Sequence, residues 1–199
     1  MDESPQPTGR IILLAVIFEG GMALAALLLG KLLGYEPWLE IRWEWAAVGW
    51  GVAATVPPFL AFLWCTHTSW PPCHALSQLV RRMILPHFLG ATPLDLLLVS
   101  FSAGIGEELL FRGLLQTAFS DWLNPALGVT LASLLFGLAH FLTPSYAVLA
   151  TLIGVYLGVL WLLCDNLLAP IITHGLYDLL ALAYLLRFTP PLSENVREP

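Results

Sequence analysis

Charge is scarce in this chain of 199 residues. Charged side chains make up 11% of it, against about 25% in soluble domains. That excludes an ordinary soluble globule and a disordered chain, which both keep more charge. Basic residues are the scarcer sign: 8 Lys and Arg stand against 14 Asp and Glu, a net charge of −6. Nucleic-acid partners select for basic faces and are therefore not expected. Cysteine is limited to Cys65, Cys73 and Cys164, with no C-x-x-C, so neither a disulfide framework nor a zinc ribbon is expected. Cys65, His67, Cys73 and His74 lie close in sequence, but their spacing matches no structural zinc site. No alternating strand pattern favours a membrane barrel. Also missing are an internal repeat, a low-complexity tract, an H-E-x-x-H zincin motif, a Gly-rich phosphate loop and a G-x-S-x-G nucleophile elbow.

What the chain has instead is apolar surface. Hydrophobic residues are 58% of it, and mean hydropathy is +0.79. A core this small cannot bury them all, so lipid is the expected solvent. A span needs about 20 mostly apolar residues. Six runs approach that length: 11–33, 46–65, 94–119, 126–142, 146–164 and 167–186. The expected fold is therefore an all-α integral membrane protein with about six transmembrane helices, the last four forming a bundle around any site. Three regions are expected: 1–93 with two spans and an interfacial connection, a core over 94–187, and a polar tail over 188–199. The connection contains an amphipathic stretch, 75–89, suited to the interface.

Five basic residues on the N-terminal side (Arg10, Arg81, Arg82, Arg187, Arg197) against Lys31 and Arg42 on the other place both termini in the cytoplasm. A multi-pass plasma-membrane (inner-membrane) location is the expectation. Trp38, Trp43 and Trp45 fall where an aromatic belt would sit. The first run is not read as a cleaved signal peptide, because it follows Met1-Asp2-Glu3 and is broken by Glu19. Glu19 itself is either functional or a bundle-facing side chain with a hydrogen-bond partner.

An ionisable residue at mid-bilayer costs several kcal/mol unless paired or hydrated. Six stand in the later runs: Glu107, Glu108, Arg112, His140, His174 and Asp178. Glu108 and Arg112 are spaced i,i+4, acid before base, which predicts a supporting ion pair on one helix face. His174 and Asp178 have the same spacing. Glu107 points about 100° away from Glu108 and has no local partner. His140 and His174 are the groups available to it from other helices. A carboxylate and two imidazoles converging from three spans can activate a water, or can hold a divalent metal such as zinc on Glu107, His140 and His174. The plain alternative is that each His binds a nearby backbone carbonyl. Span-counting leaves one mismatch: His140 lies about 14 residues into its run and His174 about seven, so equal depth needs tilt or shifted boundaries.

Three short patterns occur in order: Glu107-Glu108-Leu109-Leu110-Phe111-Arg112, Phe136-Gly137-Leu138-Ala139-His140 and His174-Gly175-Leu176-Tyr177-Asp178. With Gly113 and the small residues Gly104 and Gly106, this resembles the CPBP (Abi, or CAAX-protease type) intramembrane proteases. The likeness runs over about residues 94–186, and nothing in 1–93 carries it. It implies an endopeptidase cutting in or near the bilayer, with a membrane protein or lipidated peptide as substrate. Glu107 would be the base, His140 its partner, and His174 and Asp178 would orient water or substrate or stabilise the oxyanion. Glu108 and Arg112 would be structural. Asp178 stands where the prenyl-protein branch has Asn. Metal-assisted and metal-free mechanisms use the same side chains. The runner-up is a catalytically silent protein of this fold, an immunity factor or scaffold. A small transporter is a third reading, weakened by the lack of an inverted repeat.

Overall fold

In the computed structural model, residues 8–188 are described; the expected tail after Phe188, with Arg197, and the extreme N-terminus lie outside them. The described residues are helical and contain no strand. Helix α1 is Thr8–Leu33, α2 is Trp45–His67 and α3 is Pro71–Leu79. Helix α4, Pro93–Glu108, continues without a break through a π-helical stretch, Leu109–Gln116, into α5, Thr117–Trp122. Then come α6, Pro125–Ala139, α7, Pro144–Cys164, and α8, Leu168–Phe188.

Helices α4, α6 and α7 start in the same way. A polar residue caps the first turn and proline follows it, where its missing N–H costs nothing. Thr92 accepts from Asp95 N, and the Asp95 carboxylate accepts from Thr92 N in return, a reciprocal capping box. Asn124 accepts from Leu127 N and Thr143 from Tyr146 N. Helix α7 ends on Asp165 in the left-handed region, at φ 47°.

Among the described residues, four helices are long and apolar enough to cross a membrane: α1, α2, α7 and α8. A fifth candidate is the pair 71–88 and 93–122, bent by 118°. The expected six is thus met by four or five. Helix α6 falls short at 15 residues because Asn124 caps its start and its last helical residue is Ala139. Leu13, Leu14, Ile17, Phe18, Leu24 and Leu32 of α1 are exposed, as a lipid-facing surface requires.

Helices α1 and α2 do not stand apart from the later ones. α1 packs on α4, and α2 packs on α8. Close approach depends on small residues, as is usual between membrane helices. A Cβ on Gly104 would lie 3.0 Å from Ile171 O and 3.1 Å from Gly175 N of α8. A Cβ on Gly106 would strike the backbone carbonyl of Glu19 on α1.

Two features depart from the sequence reading. Cys65, near the end of α2, pairs with Cys73 of α3 as a disulfide, Cα atoms 5.0 Å apart. No disulfide was expected, because the turn after His67 that folds α3 back is invisible to cysteine spacing. The short α7–α8 connection is also more than a spacer. Buried Asn166 accepts from Arg42 N (3.2 Å) and Leu168 N (3.0 Å) and donates to Arg42 O (2.8 Å). Leu167 N donates to Glu40 O at 2.8 Å. This latch ties the start of α8 to the segment before α2.

The latch resolves the depth mismatch. A Cβ on Gly113 would lie 3.2 Å from the Leu167 side chain, so α8 begins level with Gly113 and well inside the bundle. Glu107 and His140 each stand about 16 residues from the α5–α6 turn, and so at about the same depth. His174 reaches that level in about seven residues because its helix starts deeper.

Candidate active site

Glu107 and Glu108 close helix α4 at the point where the backbone widens into the π-helical stretch. Such stretches are often found at functional sites. Both acids are buried. Glu108 Oε1 accepts from Arg112 at 2.9 Å and from His174 Nδ1 at 2.8 Å. The predicted i,i+4 ion pair is therefore present, and it carries a cross-helix bond to α8 that the sequence did not suggest. Arg112 is buried too. It donates to Gly154 O of α7 at 3.2 Å, and its guanidinium lies 4.4 Å from the centre of the Phe136 ring of α6. One cation thus joins three helices, and its charge is met by a carboxylate, a carbonyl and a ring face.

Phe136 organises the other side. His140 lies just past the end of α6, stacked on Phe136 with ring centres 4.4 Å apart, and its Nδ1 donates to Phe136 O at 2.9 Å. His174 meets the same ring edge-on at 6.1 Å. The phenylalanine of the F-x-x-x-H pattern is thus the surface against which Arg112, His140 and His174 are all set.

With each Nδ1 committed to an oxygen, each Nε2 turns to the remaining space. His140 Nε2 is 3.6 Å from Glu107 Oε2, and His174 Nε2 is 4.0 Å from the same oxygen and 3.5 Å from Asp178 Oδ2. These separations exceed direct hydrogen bonds. Glu107 Oε2 is buried without a hydrogen-bond partner. It borders a cavity of about 160 Å³ whose polar lining includes Glu107, His140, His174 and Asp178, with Pro58 and Leu149 among its apolar walls. The structure therefore brings together all four residues that the sequence reading grouped, around an oxygen lacking a partner and a space of water-holding size.

Among the described residues, no group of three or more His, Cys, Asp or Glu side chains is arranged to hold a metal ion. The donor chemistry is compatible with one: Glu108 on His174 and a backbone carbonyl on His140 fix tautomers that leave Nε2 as a lone-pair donor.

Glu19, left open by the sequence, lies within electrostatic reach of Glu107, His140, His174 and Asp178, and its Oε2 is buried without a partner. It is held there by the α1 backbone contact with Gly106. Sequence reasoning missed Tyr146 and Tyr177, whose side chains line the cavity. Their signal was available: each is a polar tip in an apolar run, Tyr146 soon after His140 and Tyr177 beside Asp178.

Residues 89–180 match the family model described as Rce1-like, type II CAAX prenyl endopeptidase. That match supports the CPBP/CAAX-protease family for this segment. No curated protein and no solved structure matches the chain significantly. The CAAX-protease match includes all three patterns and every residue of the cluster except Glu19. It supports protease activity of the CAAX type in a multi-pass integral membrane protein.

Proposed function

We propose that this protein is an intramembrane endopeptidase in which Glu107 activates water. The observation that carries the proposal is the buried, unpartnered Oε2 of Glu107, facing two imidazole Nε2 atoms across a small cavity. A buried carboxylate without a donor is costly, and a water between it and His140 relieves that cost. The water donates one hydrogen to Glu107 and the other to Nε2 of neutral His140. This aims an oxygen lone pair at the substrate.

As that oxygen bonds to the peptide carbonyl carbon, Glu107 takes the proton and the C=O π pair moves onto the carbonyl oxygen. The oxyanion then re-forms C=O and the C–N bond breaks. The proton on Glu107 goes to the departing nitrogen, leaving an acid, an amine and a restored carboxylate. His174 and Asp178 position the attacked group, and Glu108 with Arg112 holds His174 in place. A divalent ion such as zinc would be held by Glu107, His140 and His174 and would supply Lewis-acid polarisation of the same water. Each step above is carried by protein side chains.

The substrate we propose is a membrane protein or lipidated peptide presented from the bilayer, with the enzyme in the plasma membrane and both termini cytoplasmic. The test is cleavage of a panel of prenylated and unmodified reporter peptides by purified protein in detergent or vesicles. Turnover by the wild type and its loss in Glu107→Gln is the expected result. Equal turnover by both would overturn the assignment. No turnover of any reporter by folded wild type would favour the silent scaffold.

A further inference from the structure

The cavity is rich in acceptors and poor in donors. A carbonyl oxygen that gains charge during attack needs preorganised donors within hydrogen-bond reach. Glu107 and Asp178 offer carboxylate oxygens. His140 spends its Nδ1–H on Phe136 O, which leaves Nε2 as an acceptor in the neutral ring. His174 spends its Nδ1–H on Glu108, and any proton on its Nε2 faces Asp178 at 3.5 Å and Glu107 at 4.0 Å. Two lining hydroxyls are also committed. Thr173 donates to carbonyls of Gly51 (2.9 Å) and Ala169 (3.0 Å), and Tyr156 donates to Ala54 O at 2.7 Å.

The hydroxyls of Tyr146 and Tyr177 remain. Both line the cavity, and neither makes a side-chain hydrogen bond among the described residues. Tyr177 is set edge-on to Phe62, with ring centres 6.4 Å apart, and lies in the field of Asp178 and Tyr146. Tyr146 lies in the field of both Glu107 and Asp178. Its placement is fixed by the first turn of α7, where Thr143 caps its backbone N–H at 3.2 Å. Three residues, 141–143, separate that turn from His140, so one short connection sets both the imidazole and the phenol.

We infer that Tyr146 is a further catalytic residue, its phenolic O–H donating to the oxyanion of the tetrahedral intermediate formed beside Glu107. This rests on the endopeptidase reading above. The phenol is neutral at physiological pH, so it supplies a donor without adding charge to an apolar span.

The experiment compares wild type, Tyr146→Phe and Tyr177→Phe on the same reporter peptide, together with inhibition by a peptidyl phosphinate whose tetrahedral anion mimics the intermediate. Tyr146→Phe keeps the ring and removes the donor. It is expected to lower kcat on the order of 100-fold, leave KM within about threefold, and weaken phosphinate inhibition by a factor similar to the loss in kcat/KM. Tyr177→Phe, which removes the cavity's other uncommitted hydroxyl, should lose less than Tyr146→Phe in all three. Thermal midpoints in detergent identify any variant that fails to fold; for an unfolded Tyr146→Phe, Tyr146→His, which keeps a donor, must then retain more activity than Tyr146→Leu. Unchanged kcat and phosphinate inhibition in folded Tyr146→Phe, or a loss confined to Tyr177→Phe, would overturn the role of Tyr146 while leaving the Glu107 mechanism intact. If wild type neither turns over the reporter nor binds the phosphinate, the endopeptidase reading fails first and this inference with it.

Discussion

Exchanging each of the adjacent glutamates for glutamine should have opposite consequences, because the two carboxylates are buried for different reasons. Glu108 has its Oε1 between Arg112 at 2.9 Å and His174 at 2.8 Å, and Arg112 is 1% exposed. In Glu108→Gln the guanidinium keeps the Gly154 carbonyl and the Phe136 ring but loses its countercharge. Removing one partner of a buried ion pair costs about 3–5 kcal/mol, a substantial part of the roughly 5–15 kcal/mol that holds a typical domain folded. The glutamine can still accept one hydrogen bond through its carbonyl, so the lower end, about 3 kcal/mol, is expected. Glu107→Gln removes a carboxylate whose Oε2 has no protein partner, and folding should change by less than about 1 kcal/mol. Activity should fall by a factor of about 10² to 10⁴, the usual worth of a general base. The assay is reversible unfolding in mixed micelles, read by circular dichroism, alongside peptide turnover. A folded, wild-type-stable Glu108→Gln that is inactive, next to an active Glu107→Gln, would refute the division and exchange the two roles.

Three further outcomes are expected. Gly104→Val places a branched side chain where even a Cβ meets Ile171 O at 3.0 Å; it should cost about 1–3 kcal/mol and, by parting α4 from α8, reduce turnover more than it reduces expression. If zinc is held by Glu107, His140 and His174, elemental analysis of purified protein should find about one equivalent, prolonged chelation should remove metal and activity together, and His140→Ala should lower the metal content; full activity in protein shown to be metal-free would leave the glutamate mechanism alone. Single cysteines at Ser4 and Ser193 in a background lacking native cysteine should both be labelled from the cytoplasmic side, and labelling of either from outside would reject the N-in, C-in topology.

Much of the site was legible because it is local. The spacing of Glu108 and Arg112, and of His174 and Asp178, at i,i+4 places each pair on one helix face by helical geometry alone. The need to neutralise charge in lipid makes Glu107, His140 and His174 natural partners for one another, and the two imidazoles lie 3.6 and 4.0 Å from the carboxylate. Apolar runs marked the helices, because a backbone in lipid must satisfy its own hydrogen bonds. The number of full-length spans was less legible: α6 is 15 residues long, and hydropathy does not register a short helix seated beside longer ones.

Contacts between distant segments needed the folded chain. That Glu108 serves His174 as well as Arg112 follows from how closely α4 and α8 approach, and Gly104 and Gly175 permit that approach without announcing it. The depth of His174 depends on Asn166 latching the start of α8 onto Arg42, a pairing 124 residues apart in sequence. The Cys65–Cys73 link depends on the reversal between α2 and α3. Glu19 and Tyr146 join the site from helices whose patterns offer no partner for them. Hydropathy and the 3.6-residue period act within one helix, so residue order is enough to settle the solvent, the helices and the polar groups that must meet. Which of those groups share a proton or a cavity turns on the depth and spacing of helices packed side by side, and that is fixed when the chain folds.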